Sequence, residues 1–328
     1  MKKKILLFAA IVLGFLVISY GFVPQVLGGK IVNQSDISGW QGMSHEMMEW
    51  NAAHPSDQTA WTESMFGGMP TATIHASTKG DWTQVIYDLL LTGKRPATYL
   101  FISLIGAFLL MLSLGVGPLI AVGGAIAVTF CSYNFQIIQV GHNTKMQAIA
   151  FLPWVLAAVV FTYRQALSRK GGSLVSWLPM TALGAAGFGL FLSFQIKANH
   201  PQITYYLAIL VLLYALVILI WMLRSKDRRG LCGRFAAASG LLLVLGTAGI
   251  GTNAIKLLPT YEYTPYSMRG GSSDASSGAK GLELDYATAW SYGWEELPNM
   301  LIPDYNGGSS AGAVNPEHSE TYDLLKQA

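Results

Sequence analysis

Seven blocks of apolar residues recur along this 328-residue chain, each close to the roughly 20 residues that carry a helix across a bilayer. They occupy residues 5–23, 97–114, 118–135, 148–163, 174–194, 203–223 and 235–258. Hydrophobic residues make up 52% of the chain and charged residues only 12%, about half the charged share of a soluble domain. That much apolar surface cannot hide in one core surrounded by water. The fold class is therefore an all-α polytopic membrane protein of about seven transmembrane helices.

Charge sets its orientation. Lys2 to Lys4, then Arg164, Arg169 and Lys170, then Arg224, Lys226, Arg228, Arg229 and Arg234 lie in three short segments. Of the 18 acids, only Asp227 joins them. The positive-inside rule puts these segments and the N-terminus in the cytoplasm and the C-terminus outside. Residues 5–23 are long for a signal peptide, and the Leu27-Gly-Gly-Lys30 stretch is a poor cleavage site, so they read as an uncleaved first span. Residues 1–258 form the membrane domain. Residues 259–328, rich in Gly, Ser, Tyr and acids, form an outer segment expected to belong to a longer protein. Cys131 and Cys232 fall on opposite sides, so no disulfide is expected.

The first outer loop, residues 28–95, is polar and rich in tryptophan. Ser38 to Gln41 has the form of a capping box, and Trp40, Met43, Met47 and Trp50 recur at helical spacing until Pro55. An amphipathic surface helix with its Trp and Met toward lipid follows. Gly67, Gly68 and Pro70 mark a turn. Asp81 to Gln84 starts a second helix with Val85, Ile86, Leu89 and Leu90 on its apolar face, and Gly93 ends it.

Asp36, a few residues beyond the first span, is the leading catalytic candidate. A sugar carried on a lipid phosphate reacts when a carboxylate at the water–lipid boundary takes the acceptor's proton, or holds a metal near the leaving phosphate. The plainer reading is a loop-start or capping aspartate. Glu46 is the reserve, one to two helical turns beyond the cap, against the plainer reading of a solvated helix face. Two outer connections, Gly141-His142-Asn143-Thr144-Lys145 and Lys197-Ala198-Asn199-His200-Pro201-Gln202, each hold a lysine, a histidine and an amide. His142, Lys145, Lys197 and His200 could offset charge on a leaving phosphate. The plainer alternative is helix capping or snorkelling to head groups. Trp61 completes the substrate-binding set.

Together the Gln34-Ser-Asp36 stretch, Trp61 with Phe66-Gly-Gly-Met-Pro70, Gly141 to Met146, Lys197 to Gln202 and Arg269-Gly-Gly-Ser-Ser273 resemble the bacterial YfhO family, over essentially the whole chain. Its members are large membrane proteins grouped with GT-C-type glycosyltransferases and are typically longer than this sequence. The resemblance implies a GT-C-like fold in the bacterial inner (cytoplasmic) membrane. It implies a polyprenyl-phosphate sugar donor and a cell-envelope polymer or glycolipid as acceptor, with Asp36 matching the catalytic acid of the first outer loop. A tandem acidic pair is missing, which leaves a divalent metal open as cofactor.

Two other classes compete. A transporter or flippase of a lipid-linked saccharide needs ionisable residues near the bilayer midplane, and the seven blocks hold almost none. The third class is a non-catalytic envelope assembly factor. Nucleic acid is not a partner, since no run of Lys/Arg interleaves with aromatics. Phosphate-loop, dinucleotide and HExxH motifs are absent.

Overall fold

The computed structural model describes residues 2–74, 81–168, 173–267, 284–289, 291–302 and 305. Arg169, Lys170, Arg269 to Ser273, Glu283 and Asp304 lie outside them. In chain order come α1 (Lys2–Phe22), α2 (Ser35–Ala53), β1 (Trp61–Thr62), β2 (Met69–Pro70), α3 (Gln84–Leu90), α4 (Ala97–Ser113), α5 (Pro118–Thr129) and α6 (Ser132–Val140). Then follow α7 (Asn143–Leu167), α8 (Leu174–Lys197), α9 (Pro201–Arg224), α10 (Arg228–Gly251), α11 (Ala254–Tyr263) and α12 (Leu284–Thr288). The two strands pair antiparallel, Trp61 opposite Pro70.

Among the described residues, five helices are long and apolar enough to cross a membrane: α1, α7, α8, α9 and residues Arg229–Gly251 of α10. Helices α5 and α6 meet at a 43° bend and make a sixth span if they count as one. Helix α4 is apolar but only 17 residues long. Every one falls on an apolar block of the sequence. The bilayer leaves little choice here, because a backbone in hydrocarbon must satisfy its own hydrogen bonds.

Four details differ from expectation. The connection expected over residues 136–147 is largely helical, since α6 runs to Val140 and α7 begins at Asn143. The last apolar block is broken after Gly251, where Asn253 turns its side-chain amide onto the Ser193 carbonyl at 3.2 Å. No capping box forms at Ser38; α2 starts at Ser35, with Gln34 before it. Finally, the Trp and Met stripe of α2 packs largely on its own loop. Met47 is buried, Trp40 Nε1 donates to the Ile74 carbonyl at 3.0 Å, and Trp50 donates to Asp57 O.

Helix α7 is the centre of the bundle. Ala150, Phe151, Val155, Val159, Tyr163 and Ala166 are buried along its length, against α4 on one side and α8 on the other. Helix α5 lies on α4, and α10 lies on α8. The α8–α10 crossing is close because Gly189 and Gly249 face the opposite backbone, where a Cβ on either would overlap a carbonyl. Small residues allow this approach where lipid supplies no hydrophobic drive between helices. Helices α1 and α9 are peripheral: α9 buries only Ile203, Leu207 and Met222.

The outer loop is fastened to this bundle at its far end. Lys197 closes α8 and is buried with Asp81, with which it forms an ion pair; their side chains are 5% and 6% exposed. Gln84 Oε1 accepts a further bond from Lys197 at 3.1 Å. Asp81 also accepts from the Thr83 amide at 2.9 Å, and the Thr83 hydroxyl meets Ser193 on α8. Helix α3 turns Tyr87 inward with Leu90 and Leu91, while Val85 and Leu89 of the expected apolar face stand exposed.

Burial acts to raise the Asp81 pKa, but the bonds from Lys197 and Thr83 and the lysine charge outweigh it and hold the carboxyl below its usual range. A depressed carboxylate stabilises the fold above its unfolded pKa and loses that contribution as pH falls through the folded value. Asp81→Asn leaves a buried ammonium unpaired and is expected to cost about 3 kcal/mol. Lys197→Met added to it should restore most of the loss. Thermal unfolding in detergent measures both.

Candidate functional site

The N-terminus of α2 docks on the turn between α6 and α7. Gly141 makes that turn at φ +99°, and a Cβ there would come within 3.0 Å of the Gln34 Cβ and 3.3 Å of the Asp36 Cβ. Only glycine suits both the conformation and the close approach. Gln34 and Asn143 clasp each other through their amides, at 3.1 and 3.3 Å. Gln34 also donates to the Ile138 carbonyl and Ser35 Oγ to the Val140 carbonyl.

This docking brings two predicted residues together. Asp36 Oδ2 lies 2.9 Å from His142 Nε2, and each side chain is 48% exposed. Asp36 is in the first turn of α2, and His142 immediately precedes α7. With its proton on Nε2 the ring donates to the carboxylate and holds it in place. The second carboxylate oxygen stays available to a hydroxyl arriving from solvent.

Gln34 and Asn143 also line a cavity of about 280 Å³ whose walls carry Lys30, Lys94 and Arg95 and no acid. Asp36 and His142 do not themselves line it, but each adjoins in the chain a residue that does, Ile37 and Asn143. Three cations around a small opening suit a phosphate. Gly93 and Lys94 also line a second cavity, of about 500 Å³, whose other walls are Leu16, Val17, Tyr20, Leu27 and Thr92. This apolar groove follows the surface of α1, and the basic cavity adjoins it. A headgroup phosphate and the hydrocarbon chain behind it find matching surfaces there.

The remaining candidates have other neighbours. Glu46 is ten residues beyond Asp36 on α2, a rise of about 15 Å, too far to share the site. Its Oε2 accepts from the Thr62 hydroxyl at 2.8 Å and from the amides of Glu63 and Ser64 at 3.1 and 3.0 Å. The Thr62 bond first, then the two amides against a smaller effect of burial, lower its pKa. Trp61, in β1, is 47% exposed and lies over Gly68 at the hairpin turn.

Lys145 sits 5.1 Å from the centre of the Tyr133 ring, whereas Lys197 is committed to Asp81. The two lysines therefore have different partners, an aromatic ring for one and a carboxylate for the other. His200 precedes α9, its carbonyl accepting from Ile203 N at 3.1 Å. Among the described residues no group of three or more His, Cys, Asp or Glu is arranged to hold a metal. Asp36 and His142 alone do not fit a resident ion. Sequence reasoning missed Lys30, Lys94 and Arg95, although their signal was present: three cations at the two ends of one outer loop.

The pair's exposure limits its structural worth to roughly 0.2–1 kcal/mol. Asp36→Asn and His142→Gln should therefore melt close to the wild type. Gly141→Val, forced into a left-handed conformation against α2, should cost on the order of 2 kcal/mol or more. Melting temperatures of the three variants check this, and a large loss in Asp36→Asn would make the carboxylate structural.

Comparison of the chain with protein-family models, with curated proteins and with solved structures finds no match.

Proposed function

We propose that the protein is a membrane glycosyltransferase of the GT-C type, as its resemblance to the YfhO family implies. It would move a sugar from a polyprenyl-phosphate donor to a cell-envelope polymer or glycolipid. The observation that carries this reading is the Asp36–His142 pair at 2.9 Å beside a cavity lined by Lys30, Lys94 and Arg95.

In this reaction Asp36 removes the proton of the acceptor hydroxyl as its oxygen attacks the anomeric carbon. The bond from that carbon to the phosphate oxygen breaks. The phosphate leaves on its lipid with the bonding electron pair, and the three cations stabilise the charge it gains. His142 holds Asp36 in orientation. No step needs a metal.

The topology that goes with this reading has seven spans, with α4 and the bent α5–α6 pair included, the N-terminus in the cytoplasm of a bacterial inner membrane and residues 28–95 outside. Single cysteines at Asp57 and Ser225, in a chain whose Cys131 and Cys232 are replaced by serine, are expected to label from opposite faces of intact cells.

The catalytic test is transfer from polyprenyl-phosphate-linked hexoses by the full-length protein. Asp36→Asn should lower transfer by roughly a hundredfold or more, the range for a lost general base. Lys94→Met should mainly raise the donor KM, while Glu46→Gln should act through stability alone. One observation favours transport instead: the 43° break between α5 and α6, since broken helices form the sites of many transporters. Full transfer activity in Asp36→Asn, or lipid-linked sugar crossing sealed vesicles without transfer, would put that reading ahead.

A further inference from the structure

Another cavity lies at the other end of α7. It measures about 770 Å³ and opens between the C-terminal ends of α4, α7 and α9. Helix α7 has 25 residues, so at 1.5 Å per residue it separates this cavity from the Asp36–His142 pair by more than about 30 Å. The two sites are in opposite leaflets of any bilayer the bundle spans.

Leu112, Phe161, Val217 and Ile218 form the apolar wall, and Arg164 and Trp221 stand at the polar end. The gap exists because α9 packs so sparsely on its neighbours. A void of this size forfeits dispersion contacts on every wall, and in a bilayer the available filler is a lipid chain. Its volume is within the ~300–1,000 Å³ of typical ligand sites.

The polar end makes the site selective. Arg164 donates to the Ser113 carbonyl and lies over the Gly115 turn, where a Cβ would be 3.1 Å from its Nη1. That bond uses one of five guanidinium N–H groups and fixes the plane of the rest at the mouth of the cavity. A second guanidinium, Arg234, reaches the same wall by donating to the Ser168 carbonyl at 3.2 Å. Trp221, 48% exposed near the end of α9, has the position of an interfacial anchor. Arg224, Lys226 and Arg229 add charge at this end, with Asp227 the nearby acid.

We infer that this cavity binds one anionic phospholipid, its acyl chain along Val217 and Ile218 and its phosphate on Arg164. Basic pockets between membrane helices recognise such headgroups, at about 1 kcal/mol per basic residue, or roughly fivefold in affinity. The inference does not depend on the proposed transferase activity, because no residue of that site takes part.

The test is native mass spectrometry of the full chain in mild detergent, titrated with phosphatidylglycerol or phosphatidylcholine. The wild type should retain one phosphatidylglycerol with about fivefold preference. Arg164→Gln should abolish the preference, while Arg229→Gln, on the same face but outside the cavity, should keep it. Val217→Trp fills the cavity yet leaves Arg164 in place; Val217 is 60% exposed, so the bundle tolerates the larger side chain. It should lose the bound lipid altogether, and it keeps the test decisive if Arg164→Gln fails to fold. Equal retention of both lipids by the wild type would overturn the site, as would a preference that survives Val217→Trp or falls equally in Arg229→Gln. Each of those results means annular lipid only.

Discussion

An ammonium buried at the end of a membrane helix must have a counter-ion, and this end of the helical bundle is arranged around that requirement. Lys197 lies beneath the loop, and Asp81 reaches it from the opposite end of the chain's first outer segment. Once that pair forms, Thr83 meets Ser193, Tyr87 enters the core beside Phe151 and Phe194, and Lys94 and Arg95 follow α3 to the edge of the bundle. The loop's other end is fixed by the Gln34–Asn143 clasp. With both ends tied, Lys30 from one and Lys94 with Arg95 from the other line the same small cavity.

The pair also governs the charge balance nearby. Lys256, in the first turn of α11, donates to the Lys197 carbonyl at 3.1 Å. Burial first, and then the charge of Lys197, lower its pKa, against the opposing pull of Asp81. Two lysines share one carboxylate there. The ion pair is an anchor whose worth lies mainly in what its loss would leave behind, since breaking a buried pair costs far more than forming it gains.

Much of this was legible in the sequence, and the reason is the bilayer. Each apolar block became helix, because hydrocarbon admits no other single-segment backbone. Asp36 and His142 were both singled out, yet nothing in their spacing said they would meet. Their contact depends on Gly141, whose missing side chain lets Gln34 and Asp36 approach. Lys197 was read as a cation facing lipid phosphate because its neighbours are amides and a histidine; its true partner is 116 residues away. The α2 stripe was misplaced for a related reason. Period alone identifies an apolar face but not what covers it, and the 59–74 segment supplies the Ile74 carbonyl that holds Trp40.

Two carboxylate contacts, one to a lysine and one to a histidine, therefore mark this end of the bundle, and solvent exposure separates them. Asp81 and Lys197 are almost wholly buried, each held by a further hydrogen bond, and neither can exchange its partner without cost. Asp36 and His142 are half exposed, beside a cationic cavity, joined by a contact that contributes little to stability. In the proposed transfer reaction the group that accepts a proton and gives it up again has to be accessible and weakly held. A group that must keep a loop docked on a membrane bundle has to be neither. The same chemistry, carboxylate against base, would thus serve both tasks, and the depth at which the fold sets each pair separates the anchor from the proposed base.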